Sequence, residues 1–394
     1  MIPPSKSVAH RLIIAAALAK GNSVISNVRP SKDILATAEA MRKLGAEITL
    51  ENDTAYVRGI SEPPAEAVID CGESGSTLRF LIPVAAALGV KTTFIGHGKL
   101  PERPITPYLE ELPKHGAKFE YNGTMPFTVS GKLSAGEYRI GGDISSQFIT
   151  GLLLALSVTE GSSRIVLTSH LESRPYVDIT ADCLKKYGCT VTETDTGYSV
   201  NGSENLRPCD CEVEGDWSQA AFFEVANALG SNVRLDGLNV NSVQGDKKIL
   251  EICTDMVYNK KSELKSFELD CSDIPDLVPI LAVLATFCKG TSRIYNVARL
   301  RIKESDRLAA MTECLNRVGG RVTAGEDSLV IEGVDHLNGG EIDSFNDHRI
   351  AMAMAVASTR CTAPLRINGS ECVAKSYPDF WEDFKRLGGQ LGEV

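Results

Sequence analysis

One polar segment followed by an apolar helix recurs six times in this chain, and that repetition limits the possible folds more than any other feature. The six segments are Pro4-Ser5-Lys6-Ser7-Val8-Ala9-His10-Arg11, Gly72-Glu73-Ser74-Gly75-Ser76-Thr77, Gly142-Asp143-Ile144-Ser145-Ser146-Gln147, Gly215-Asp216-Trp217-Ser218-Gln219, Ser272-Asp273-Ile274-Pro275-Asp276 and Phe345-Asn346-Asp347-His348-Arg349. Ala- and Leu-rich runs follow at 12–18, 80–88, 152–156, 220–229, 277–287 and 350–357. The starts lie roughly 60 to 75 residues apart, the length of a supersecondary unit rather than a short solenoid repeat. β-like runs come next, at 23–27, 92–96, 163–168, 232–236, 292–296 and 364–368. A second helix then closes on glycine, as at Leu44-Gly45, His115-Gly116, Tyr187-Gly188, Val318-Gly319 and Leu387-Gly388. The fourth copy, Ile252-Cys253-Thr254-Asp255-Met256, lacks that glycine.

Alternating strands and helices predict an α/β fold. The first helix of each unit is apolar nearly all round and should be buried, while the second is amphipathic and should meet solvent. A chain of 394 residues exceeds one ordinary core, and six units divide as three and three. The boundary is expected near Val213-Glu214-Gly215-Asp216.

The charge pattern points to small anions. A net charge of -10 and an aromatic content of 6% argue against a nucleic-acid or anionic-membrane surface. No run approaches the roughly 18 apolar residues of a membrane span. The run 13–19 is framed by Pro3, Pro4 and Lys20-Gly21-Asn22, which suits a buried helix better than a signal peptide. The eleven cysteines form no CxxC pair, and with six scattered histidines they give no zinc spacing. They read as small buried side chains in a reducing cytoplasm. No GxGxxG, Walker, HExxH or GxSxG motif occurs.

Cations instead sit where the buried helices begin or in the loops between elements. The densest stretch is Arg301-Ile302-Lys303-Glu304-Ser305-Asp306-Arg307, before a helical pattern of Leu308, Met311, Leu315 and Val318. Ser305 reads as its N-cap. Lys6, Arg11, Arg103, Arg174, Arg349 and Lys375 occupy comparable places. Charges at such positions imply an anionic ligand with several phosphate or carboxylate groups. The plain alternative is that each pairs with a neighbouring carboxylate. Asp276 and Glu304, two carboxylates among these cations, suit general acid–base chemistry, with a structural ion pair as the alternative.

Together Pro4-Ser5-Lys6-Ser7 with Arg11, Glu102-Arg103-Pro104, Ser145-Ser146-Gln147-Phe148, Lys303-Glu304-Ser305-Asp306-Arg307, Asn346-Asp347-His348-Arg349 and Lys375 resemble the 5-enolpyruvylshikimate-3-phosphate synthase family of enolpyruvyl transferases. The resemblance runs in order along essentially the whole chain. It implies two inside-out α/β domains, each of three βαβαββ units, joined by a hinge and closing on their ligands. They would span residues 5–213, and 214–394 with 1–4. It implies transfer of the carboxyvinyl group of phosphoenolpyruvate to shikimate 3-phosphate through a tetrahedral intermediate, without metal or cofactor. Lys6, Ser7, Arg11, Ser145, Ser146, Gln147, Ser173, Tyr176, Asp276 and Lys303 would hold shikimate 3-phosphate. Lys6, Gly75, Arg103, Gln147, Arg307, His348, Arg349 and Lys375 would hold phosphoenolpyruvate. Asp276, Glu304 and Lys6 would be catalytic.

The resemblance also implies a cytoplasmic enzyme, expected as a monomer. Departures exist. Family members usually carry one more strand before the first motif, Pro4 stands where many have glycine, and Glu73 stands where many have asparagine. The rivals are a transferase acting on UDP-N-acetylglucosamine, a non-catalytic repeat scaffold and an RNA-end-processing enzyme. The first would carry a reactive cysteine in the loop 96–103, and this chain has none between Cys71 and Cys183. The acidic charge disfavours the last.

Overall fold

The computed structural model describes residues 2–257 and 264–392. The chain divides into two compact units, Pro4–Glu214, and Met1–Pro3 with Gly215–Val394.

In the unit Pro4–Glu214 the helices are α1 (Lys6–Leu18), α2 (Lys32–Lys43), α3 (Gly75–Leu88), α4 (Thr106–Glu111), α5 (Ser146–Leu156) and α6 (Arg174–Lys186). Its three four-stranded sheets share one order. In the second, Glu66–Asp70 pairs parallel with Lys91–Ile95, which pairs antiparallel with Phe127–Gly131, which pairs antiparallel with Ala117–Glu120. The third repeats this with Glu137–Ile140, Ser162–Leu167, Gly197–Asn201 and Val191–Thr194. The first sheet completes itself from the far end of the unit, where Cys211–Glu212 supplies the parallel strand beside Asn22–Ser26. The apolar helices lie inside. Every residue of α1 from Val8 to Leu18 is buried, and so is every residue of α5 except Gln147. Ala- and Leu-rich helices with no polar face have nowhere else to go. The amphipathic α2 and α6 bury one face only.

The unit Met1–Pro3 with Gly215–Val394 holds α7 (Trp217–Ala228), α8 (Ile249–Val257), α9 (Val278–Thr286), α10 (Arg307–Arg317), α11 (His348–Ser358) and α12 (Phe380–Arg386). The sheet order recurs in Glu268–Asp270, Thr291–Tyr295, Ser328–Glu332 and Arg321–Ala324. Gly340–Asp343 and Leu365–Asn368 form a two-stranded parallel sheet. All of α9 is buried.

Two local expectations are corrected. No strand forms over 232–236. The Asn227 carboxamide occupies both backbone groups of Val233, accepting from its N–H at 2.6 Å and donating to its carbonyl at 2.8 Å. Asn316 clamps Val322 in the same way inside the edge strand Arg321–Ala324, so the clamp takes one outward pair of backbone groups and does not by itself exclude a ladder. The cap of α10 is Asp306, not Ser305: its carboxylate accepts from the Ala309 N–H at 3.0 Å. Ser305 instead donates to Asp347 Oδ2 at 3.0 Å.

Candidate active site

In the unit Pro4–Glu214, serines start the buried helices. Ser5, Ser74 and Ser145 accept backbone N–H groups at the ends of α1, α3 and α5. The residues just inside those caps therefore stand at positive helix ends. Lys6, the first residue of α1, pairs with Asp33 in the first turn of α2 at 2.8 Å. Arg11 lies one turn deeper and is buried. It donates to Thr180 Oγ1 at 2.7 Å, Thr150 Oγ1 at 3.3 Å, the Ser7 carbonyl at 2.6 Å and the Tyr176 carbonyl at 2.9 Å. These acceptors are neutral, and burial pushes its guanidinium down to about 10. Packing of α5 on α3 and α6, and of α6 on α1, gathers these ends. Ser173, buried and left-handed at φ 57°, leads into α6 and sets Tyr176 one turn on.

Gly75, Arg103 and Gln147 meet. A Cβ at Gly75 would collide with Arg103 Nη1 and lie 3.6 Å from Gln147 Oε1. Gln147 donates to Ser76 Oγ at 3.0 Å and accepts from Arg79 Nη1 at 2.8 Å. Ser146 is buried beside it.

In the other unit, Asp276 is gripped by two guanidiniums, Arg307 Nη1 at 3.0 Å and Arg349 Nη2 at 2.8 Å. Arg307 also holds the buried Asp347 at 2.8 Å through Nε. Burial opposes the Asp347 charge, but Arg307 outweighs it and holds the carboxyl below its ordinary value. Burial likewise works against Arg307, but Asp347, then Asp276, then Glu304 raise it further above its already high value. Asp347 also caps α11 through the Arg349 N–H at 3.0 Å. His348 Nδ1 approaches Glu304 Oε2 at 2.8 Å. Arg349 Nη2 further donates to Ser218 Oγ at 3.1 Å. Lys375 donates to the Asn346 carbonyl at 2.7 Å, and Lys303 is half-buried just after the turn Ala298–Ile302.

The model of the family described as EPSP synthase (3-phosphoshikimate 1-carboxyvinyltransferase) matches residues 1–384. The chain belongs to this family. It is 47% identical to the 3-phosphoshikimate 1-carboxyvinyltransferase of Clostridium kluyveri over 405 aligned positions, covering 100% of this chain and 95% of that one. It is 46% identical to the enzyme of the same name from Clostridium novyi, with 100% and 95% covered. A solved EPSP synthase from Acinetobacter baumannii superposes with a TM-score of 0.83 at 28% identity, covering 99% of this chain and 95% of that one.

Against the EPSP synthase motifs, each unit gathers its own candidates. One brings together Arg11, Ser7 and Tyr176, and separately Gly75, Arg103 and Gln147. The other clusters Asp276, Glu304, Arg307, His348 and Arg349. The pairing question has a mixed answer. Lys6, Arg307 and Arg349 meet carboxylates, Arg11 meets neutral oxygens, and Arg174 turns to the exposed Glu193 at 2.5 Å.

Sequence reasoning missed Asp33, Asp347, Ser218 and Arg79 as partners of these groups. Asp347 was findable, because an aspartate just before a buried helix is a cap. Asp33 gives no local signal, since it is distant in sequence from Lys6. Glu304, Asp347 and His348 are the described residues that bring ligand-type atoms within 4.8 Å of one another. Arg307 already occupies the Asp347 carboxylate, so the positive charge there is a guanidinium.

Proposed function

We propose that the chain transfers the carboxyvinyl group of phosphoenolpyruvate to the 5-hydroxyl of shikimate 3-phosphate, releasing phosphate. The observation that carries this reading is the Asp276 node: one carboxylate shared by two guanidiniums, one of which, Arg307, also feels the charge of Glu304, the partner of His348. It supplies cations for an anionic substrate together with candidate acid and base groups.

Shikimate 3-phosphate is held by Lys6, Ser7, Arg11, Ser145, Ser146, Gln147, Ser173, Tyr176, Asp276 and Lys303. Phosphoenolpyruvate is held by Lys6, Gly75, Arg103, Gln147, Arg307, His348, Arg349 and Lys375. Asp276 takes the 5-hydroxyl proton as that oxygen bonds to C2 of phosphoenolpyruvate. Glu304, assisted by Lys6, delivers a proton to the methylene carbon and makes it a methyl group. The tetrahedral adduct then returns a methyl proton to Glu304 as its C2–O bond to phosphate breaks, which restores the double bond, and the proton held by Asp276 leaves with the phosphate. No cofactor is assigned.

The test is phosphate release from phosphoenolpyruvate with shikimate 3-phosphate or UDP-N-acetylglucosamine as acceptor. Release with shikimate 3-phosphate supports the reading, and release only with the sugar nucleotide overturns it. We further place the chain in the cytoplasm as a monomer of two domains. All eleven cysteines are free thiols, which suits a reducing compartment, and among the described residues no helix is long and apolar enough to cross a membrane. Light scattering during gel filtration checks the monomer.

A further inference from the structure

Arg79 belongs to none of the motifs above, yet its surroundings are unusual. It lies on α3, one turn after Gly75, and is 5% exposed. Its guanidinium donates to Gln147 Oε1 at 2.8 Å through Nη1 and to the Pro104 carbonyl at 3.2 Å through Nη2. Its carbon lies 5.0 Å from the centre of the Phe148 ring. Among the described residues no carboxylate pairs with it, and its buried Nε has no hydrogen-bond partner. The nearby Arg103 also has a buried Nε without a partner. Burial, and after it the Arg103 charge, pushes the Arg79 guanidinium down to about 9.

The backbone is built to hold Arg79 there. Pro83 lies inside α3 and has no N–H, so the Arg79 carbonyl four residues earlier loses its helical donor. Tyr108 Oη fills that place, donating to the Arg79 carbonyl at 2.8 Å and sharing its hydrogen with the Phe148 carbonyl at 2.9 Å. Gly151 permits the approach, since a Cβ there would strike the Arg79 carbonyl and the Tyr108 hydroxyl. Helices α3, α4 and α5 are thus tied at one residue, whose side chain reaches the loop carrying Arg103 and the amide of Gln147.

We propose that Arg79 is a positioning residue for the anion subsite of Gly75, Arg103 and Gln147. One guanidinium fixes the Gln147 amide with its NH2 turned away from Arg79. It also anchors the Arg103 loop through the Pro104 carbonyl, and it leaves a positive charge with which no carboxylate among the described residues pairs. A desolvated cation of this kind strengthens anion binding in a low-dielectric site. This inference rests on the functional reading above for the identity of the anion, phosphoenolpyruvate. Lysine keeps the charge but is a single-point donor group without the planar fork.

The test uses the full chain with Arg79→Lys and Arg79→Gln. Phosphoenolpyruvate affinity is measured by calorimetric titration, kcat and KM by phosphate release, and folding by thermal melting. We expect both variants to melt cooperatively. Phosphoenolpyruvate affinity and KM should worsen about tenfold or more in Arg79→Gln and severalfold in Arg79→Lys, with a smaller change in kcat. A purely structural role would lower the melting temperature and the active fraction while leaving KM alone, and that result overturns the proposal. So does affinity within twofold of wild type in both variants. An Arg79→Lys variant that fails to fold also overturns it, because the residue would then serve the fold. Wild-type protein that binds phosphoenolpyruvate but releases no phosphate would instead sink the functional reading.

Discussion

Gly75→Ala should separate stability from substrate affinity. Gly75 opens α3, is buried, and is absent from the positive-φ glycines, so alanine meets no backbone strain there. Alanine in place of glycine favours a helix by up to about 1 kcal/mol, less in the first turn. The added methyl collides with Arg103 Nη1 and sits 3.6 Å from both Arg103 Cζ and Gln147 Oε1. Arg103 is long and flexible at that end, so the fold yields cheaply by letting the guanidinium retreat. The ligand does not, because a hydrogen bond to a charged group is worth about 1.5–3 kcal/mol. Losing one implies roughly a 10- to 150-fold rise in KM for phosphoenolpyruvate. Thermal melting and separate KM values for the two substrates form the assay. We expect an unchanged or slightly raised melting temperature, with the loss confined mainly to phosphoenolpyruvate. A KM within twofold of wild type, or a melting temperature several degrees lower, would refute the crowding argument.

Other outcomes follow from buried polar groups. His10 is kept neutral, its pKa lowered to about 3 by burial; Asp33 favours its protonation while Lys6 and Arg11 oppose it. The unfolded chain takes up that proton below pH 6.5, so stability falls as pH drops, by about 1.4 kcal/mol per unit and about 2 kcal/mol by pH 5. His10→Gln, measured by urea unfolding between pH 5 and 7, should show a shallower slope; an identical slope would discount His10. Asp347→Asn leaves Arg307 without its buried partner and should cost about 3–5 kcal/mol in the same assay; a loss below 1 kcal/mol would contradict that pairing. Tyr108→Phe orphans the Arg79 carbonyl and should cost about 1–3 kcal/mol. Lys6→Met and Glu304→Gln should stay folded with turnover reduced at least a hundredfold; near-normal rates would remove both from the mechanism.

The repeat was legible because its signals are local. Apolar runs such as 12–18 and 277–287 are helices whose burial their composition demands, and the glycines after the second helices are turns. The failures lay elsewhere. Nothing in the run 232–236 announces that it stays outside a ladder, and choosing between Ser305 and Asp306 as cap depended on Asp347, far along the chain. The site showed the same division. Motif residues stood out, whereas Asp33 and Arg79 act through partners that only folding brings near.

Protonation of the methylene carbon is the step on which the proposed chemistry turns, and solvent deuterium reports it. The wild-type protein would be run in D2O with both substrates, and the methylene of the product examined by mass spectrometry. We expect deuterium there, because a methyl group that gained a solvent deuteron must lose one of three hydrogens to re-form the double bond. Product formed at a normal rate with no deuterium in that methylene would contradict addition followed by elimination.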